Sequence, residues 1–283
     1  MTAAAQAGWR GSLSLRYWRD GERTLSHDRH EGPLRVLQSL YPEGPDICHH
    51  VLVHPPGGIV GGDQLALDLA LGAGSHALVT TPGATRFYRS AEAPAHQRMC
   101  ASLAEGARLE WLPLETIAYS GCQAHNEVRF VLAPGAQMLG WDLLALGLPA
   151  AGQGFERGRI EQRLEWPGVW LDRGLIVADD RPLRESPLGL DGQGVLATLW
   201  WASGSPMDGT LREALLESAR ETFAEHPALA AHAGASALDP RLVVCRVLAQ
   251  RVEPVFALWR AVRQRWRTIG WGLAGEPPRI WRT

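Results

Sequence analysis

The chain has 283 residues, 46% of them apolar, and a formal net charge of −2. That composition supports a sizeable core and excludes global disorder, while the balanced charge gives no bulk attraction to nucleic acid or an anionic membrane. Every basic residue counted with lysine is arginine, so neither a Schiff-base lysine nor the lysine of a nucleotide P-loop is available.

The predicted elements begin with strands. The four cysteines, Cys48, Cys100, Cys122 and Cys245, form no C-x-x-C pair, which argues against structural zinc, an iron–sulfur cluster or a redox dithiol. Met1 to Gln6 is alanine-rich and lacks the apolar stretch of a signal peptide. No 18-residue uncharged apolar run occurs, so no membrane span and a cytoplasmic setting are expected. Leu65, Leu67, Leu69 and Leu71 alternate with Ala66, Asp68 and Ala70, the period of a strand with one apolar face. Gly72-Ala73-Gly74-Ser75 then reads as a turn before a strand-like run at 76–81. Residues 128–133, Pro134-Gly135 and 136–144 repeat that strand–turn–strand grammar. Ile160, Leu164 and Trp166 share a strand face with Gln162, and 169–177 carries its own turn signal at Asp172-Arg173-Gly174. The 31 glycines and 19 prolines fit many short strands joined by tight turns. No fixed period of 20–50 residues is found, so a regular repeat array is not expected.

The last third changes character. Residues 209–225 carry Leu211, Leu215, Leu216, Ala219 and Phe223 at helical spacing, with Asp208 as N-cap. A second helix is marked by Val252, Val255, Phe256, Trp259, Val262, Trp266 and Ile269, and from the helical rise per residue it is roughly 27 Å long. Arg260, Arg263, Gln264, Arg265 and Arg267 fill its other face, to be either solvated or a partner surface. Residues 242–248 between the helices read as a buried strand. The expectation is a mainly β protein: a single large domain over 1–283 of many short strands, with β-helix-like stacking as one available form, and two α-helices toward the C-terminus.

Several motifs invite chemistry. The bend His54-Pro55-Pro56-Gly57-Gly58-Ile59-Val60-Gly61-Gly62-Asp63 resembles a phosphate loop in its glycines. Its order is not G-x-G-x-x-G, no lysine follows, and a strand stands where a helix is needed, so a strand-connecting bend is the better reading. Asp63 at its end reads either as a cap or as a cation ligand. His27 and His30, and His49, His50 and His54 beside Cys48, raise a metal site. Adjacent His49 and His50 point to opposite faces of a strand, which disfavours one shared ion. Cys122, His125, Glu127 and Ser120 are close in sequence, but triads assemble in space and no G-x-S-x-G elbow is present. Most of the twelve tryptophans fall on apolar faces and read as core.

These segments, taken in order, resemble the UreD family over nearly the whole chain. The carrying blocks are Gly32-Pro33-Leu34, Leu40-Tyr41-Pro42-Glu43-Gly44, the 54–63 bend, Thr80-Thr81-Pro82-Gly83-Ala84-Thr85-Arg86-Phe87-Tyr88-Arg89-Ser90, Leu109-Glu110-Trp111-Leu112-Pro113 with Glu115-Thr116-Ile117, Gly140-Trp141-Asp142, and Pro278-Arg279-Ile280-Trp281. Three positions depart from the family pattern: Arg86 stands where lysine is common, Cys122 occupies a Gly-Ala-type turn, and Cys245-Arg246-Val247-Leu248 varies an Arg-Tyr-Leu-like strand. The first keeps charge but changes donor geometry. The resemblance implies a urease accessory protein without turnover and without a tightly bound cofactor. Such a protein binds apo-urease, recruits UreF and through it the GTPase UreG, and supports nickel(II) delivery. Asp63, Glu115 and Asp142, each in a family-like block, are the candidate contacts for nickel in transit. The alternatives are a scaffold that never touches nickel and an unrecognised hydrolase.

Overall fold

A computed structural model of the chain describes residues 8–90 and 93–282. The Met1 to Gln6 reading falls outside them. β1 (Arg10–Asp20) and β2 (Arg23–Glu31) form an antiparallel hairpin, followed by β3 (Arg35–Val36) and β4 (Ile47–Val53). The chain then winds through β5 (Gln64–Leu71), β6 (His76–Thr80), β7 (Thr85–Phe87), β8 (Ala95–Leu103), β9 (Arg108–Leu112), β10 (Thr116–Ala118), β11 (Cys122–Leu132), β12 (Gln137–Leu146) and β13 (Gly158–Trp166). After β14 (Trp170–Val177) come α1 (Arg181–Glu185), β15 (Val195–Ser203), α2 (Gly209–Ala224), α3 (Pro227–Ala230), β16 (Ala233–Asp239), β17 (Leu242–Ala249) and α4 (Val252–Trp271).

Two sheets face each other. The outer one runs β14-β13-β11-β8-β5-β1-β2; the inner one runs β16-β17-β15-β12-β9-β6-β4-β3. β5, β8, β11 and β13 are parallel neighbours, as are β4, β6, β9 and β12. Each circuit passes from the outer sheet to the inner one and back, so the chain forms stacked coils of a β-solenoid. This corrects the expectation of no repeat array. Gln64 pairs with His96, His96 with His125, and His125 with Glu161, at offsets of 32, 29 and 36 residues. Unequal connections hide the repeat from a search for one period. The corners do repeat: Gly74, Gly106 and Gly135 each turn the chain with φ between 66° and 75° and stack on one another. A side chain there would meet the left-handed backbone penalty.

The inner sheet is covered on both faces, which is why β6 is buried at all five positions. Along β12, Leu139, Trp141 and Leu143 pack under α2 and α4, while Met138 faces the outer sheet. Gly140 also faces that way and gives its space to the Trp200 ring. Both long helices lie where their periodicity predicts, and two short helices, α1 before β15 and α3 after α2, are additional to them. Asp208 precedes α2, but its side chain makes no cap bond; only its carbonyl takes the Arg212 N–H. Residues 172–174 do not turn, because β14 pairs with β13 without a break from Trp170 to Val177. The tryptophans of β12, β15 and α4 are buried, as their apolar faces predict.

The arginine face of α4 divides. Arg260 is exposed, but Arg263 and Arg267 are buried against the inner sheet. The Arg263 guanidinium Nε lies 2.7 Å from Glu110 Oε2, and Arg267 reaches Glu43 at 2.6 Å. Glu43 also takes His49 Nε2 at 2.9 Å. The solvated and partner-surface readings of these two residues are therefore wrong. Helical spacing cannot distinguish a basic residue facing water from one facing a buried carboxylate donated by another strand.

Candidate functional site

The polar residues that stand out lie between the two sheets. Side chains alternate along a strand, so residues at one register on neighbouring strands form a row on one face. Gln97, Asn126 and Gln162 make such a row on β8, β11 and β13. All three interrupt apolar runs, with Gln97 set between Ala95 and Met99, Asn126 between Ala124 and Val128, and Gln162 between Ile160 and Leu164. Asp142 of β12 faces them from the inner sheet. Gln97 Nε2 donates to Asn126 Oδ1 at 3.2 Å, Asn126 Nδ2 donates to Asp142 Oδ1 at 3.4 Å, and Gln162 Nε2 donates to Asp142 Oδ2.

Asp142 is 6% exposed. Burial pushes its carboxyl up to about 7, partly offset by the Gln162 hydrogen bond and reinforced by the negative charge of Asp172. At neutral pH this group passes readily between the acid and the carboxylate. The carboxylate, held by two amide N–H donors, is a lone hard oxygen ligand, which can hold a cation only weakly.

Cavities adjoin this residue on both sides. One of about 40 Å³, room for a few waters, is lined by Asp142, Asn126, Gln97, Thr81, Thr85 and Thr116 among others. It shares Gln97, Thr81 and Thr85 with a second of about 250 Å³ that reaches His54, Gly57 and Gly58 of the 54–63 bend. On the far side of Asp142, a mostly apolar cavity of about 790 Å³, lined by leucines such as Leu144, Leu164 and Leu196, also carries Gln162, Asp172, Thr198 and Arg246 and opens at the ends of the sheets.

The other predicted residues do not join Asp142. Asp63 accepts the Trp9 N–H at 2.8 Å and the Val60 N–H at 3.0 Å, which is the cap reading of that residue. The bend runs into β5, as expected of a strand connection, and Gly62 makes the last turn at φ 90°. Glu115 is half-buried, lines none of these three cavities, and gives its carbonyl to the Thr85 N–H.

The remaining histidines and cysteines are dispersed. His49 faces α4, while His50 faces the other way, toward the Tyr17 hydroxyl at 2.8 Å. Burial lowers His50 to about 4, which keeps it neutral. His27 and His30 are exposed. Cys122 is buried and its thiol is pushed up to about 12 by burial. His125 lies on the opposite face of β11, stacked on His96 at 4.6 Å and 3.1 Å from Glu161. A thiol and a base on opposite faces of one strand cannot exchange a proton directly. Among the described residues, no three His, Cys, Asp or Glu side chains converge as a metal cluster, and no helix is long and apolar enough to cross a membrane.

Sequence reasoning names Asp142 but misses Gln97, Asn126, Asp172 and Arg246. The available signal is a polar residue at an apolar beat of a strand, visible for Gln97, Asn126 and Gln162.

The family model described as UreD urease accessory protein matches residues 9–282. A urease accessory protein UreD of Leptothrix cholodnii is 61% identical over 97% of this chain and 99% of its own length. Those of Methylibium petroleiphilum and Polaromonas naphthalenivorans are 53% and 54% identical, over 97% and 96% of this chain and 99% of each relative.

Proposed function

The chain belongs to the UreD family of urease accessory proteins, and on that premise we propose that it is a non-enzymatic assembly factor for nickel delivery. In this reading it works in the cytoplasm, binds apo-urease, and recruits UreF and, through UreF, the GTPase UreG. Nickel(II), the cargo, passes between the two sheets by way of Asp142.

The observation that carries this is the position of Asp142 where two cavities meet, held by two amide donors. A transit contact must bind an ion loosely enough to release it. A single carboxylate that gives up its proton near neutrality meets that need better than a thiolate or multi-histidine site. Gln162 and Asn126 orient the carboxylate and can re-aim as an ion passes.

The scaffold reading, with no nickel contact, is favoured at Asp63. Its two backbone bonds already account for its burial.

The test is activation of apo-urease with UreF, UreG and nickel(II), comparing the wild type with Asp142→Asn. The expected result is unchanged complex formation with a lower nickel content in urease. Full nickel loading by the variant would leave only the scaffold role.

A further inference from the structure

The inter-sheet rows continue beyond Asp142. On the inner sheet, Asp142, Thr198 and Arg246 share one register across β12, β15 and β17, and Gly234 of β16 completes the row. On the outer sheet, the row of Gln97, Asn126 and Gln162 ends at Gly174 of β14. Both rows run out at edge strands, β14 and β16. A Cβ on Gly174 would meet nothing within 4 Å, so the gap between the sheets is open at that point. One ion pair crosses it: Arg246 Nη2 lies 2.7 Å from Asp172 Oδ2. Asp172 and Arg246 are 74 residues apart in sequence and stand on different sheets.

We propose that Arg246 is a gate for divalent cations at this mouth, its guanidinium standing between solvent and Asp142 and holding Asp172. The inference rests on the transit reading above and names the residue that controls its open end.

A dication entering between β14 and β16 meets a fixed positive charge before it meets the Asp142 carboxylate. Repulsion between like charges persists at this half-exposed mouth, although water and salt weaken it. The same guanidinium neutralises Asp172, the carboxylate whose charge already reaches Asp142. With Arg246 turned outward, Asp172 and Asp142 become two oxygen ligands facing one cavity. The pair is poised to open, because its side chains are 55% and 33% exposed and an exposed ion pair is only weakly held. Arginine is fit for the role because it keeps its charge at any physiological pH.

The test is equilibrium dialysis of the purified full-length chain against nickel chloride, with thermal midpoints recorded in parallel. Arg246→Gln removes the charge and should bind nickel(II) about tenfold tighter than the wild type, by the Coulomb argument. Arg246→Lys keeps the charge and should show no gain. Adding Asp142→Asn to Arg246→Gln should abolish the gain. No gain in Arg246→Gln, or a gain that survives the loss of Asp142, overturns the proposal; so does a fall in thermal midpoint with affinity unchanged, the mark of a mere brace. The transit reading fails separately, on the nickel content of urease activated with Asp142→Asn alone.

Discussion

Arg263 and Glu110 meet at 2.7 Å with side chains 1% and 0% exposed, joining α4 to β9 across 153 residues of sequence. Burial alone would raise the Glu110 carboxyl. Arg263, His76 and Arg267 outweigh it and hold the group well below the usual carboxylate range. Glu110→Gln keeps the volume and removes the charge, leaving the buried Arg263 guanidinium without its carboxylate. The expected cost is about 3–5 kcal/mol of unfolding free energy by urea titration. Replacing both partners, Glu110→Leu with Arg263→Met, should cost less than Glu110→Gln, since an apolar pair leaves no orphan charge at that contact.

Gly140 precedes Trp141 and Asp142 and has no room for a Cβ, which would strike the Trp200 ring. Trp200 is itself buried among Phe130 and Trp170, so it has little freedom to move. Gly140→Ala should cost about 1–3 kcal/mol by overpacking. The check is a thermal melt together with near-ultraviolet circular dichroism, where the packed indoles report any shift.

Asp142 makes stability depend on pH in a direction opposite to most carboxylates. Its folded carboxyl keeps a proton up to about pH 7, whereas an unfolded aspartate loses it at about 3.9. Between those values the folded state binds more protons, so this group's contribution to stability falls as pH rises. Asp142→Asn does not titrate. The thermal midpoint of the variant minus that of the wild type should therefore climb through that window and flatten above it. A difference independent of pH would mean that the carboxyl is not held protonated.

Asp63 accepts two backbone N–H groups, and their loss has the cost of a missing cap. Asp63→Ala should destabilise by about 1–2 kcal/mol. If Asp63 is structural, urease activation should fall only in proportion to the folded fraction, measured on the same samples. A larger loss of nickel loading would return Asp63 to the transit path.

Much of the fold is legible in the order of residues alone. The Leu65–Leu71 alternation predicts β5, the apolar periodicities predict α2 and α4, and the glycine and proline turns predict corners. The solenoid repeat is present as glycine corners at 74, 106 and 135, but coil lengths that vary by several residues blur it. Asp172-Arg173-Gly174 misleads because turn-forming residues do not reveal the strand they pair with. The β13 ladder holds them extended, and the pairing of a full strand outweighs a weak local preference.

What the sequence determined by itself was the kind of protein: strand and helix periods, the glycine bend ending in Asp63, and the family blocks. These are local properties, fixed by neighbours within a few residues. Only the tertiary structure decided which charges face inward. Arg263 and Arg267 have the spacing of a solvated helix face, yet Glu110 and Glu43 come from distant segments to meet them. Asp142 is one acidic residue among many until register sets it opposite Asn126 and Gln162, with Arg246 and Asp172 at the mouth beyond. A charge takes its meaning from the dielectric and the partners around it, and those are supplied by distant parts of the chain.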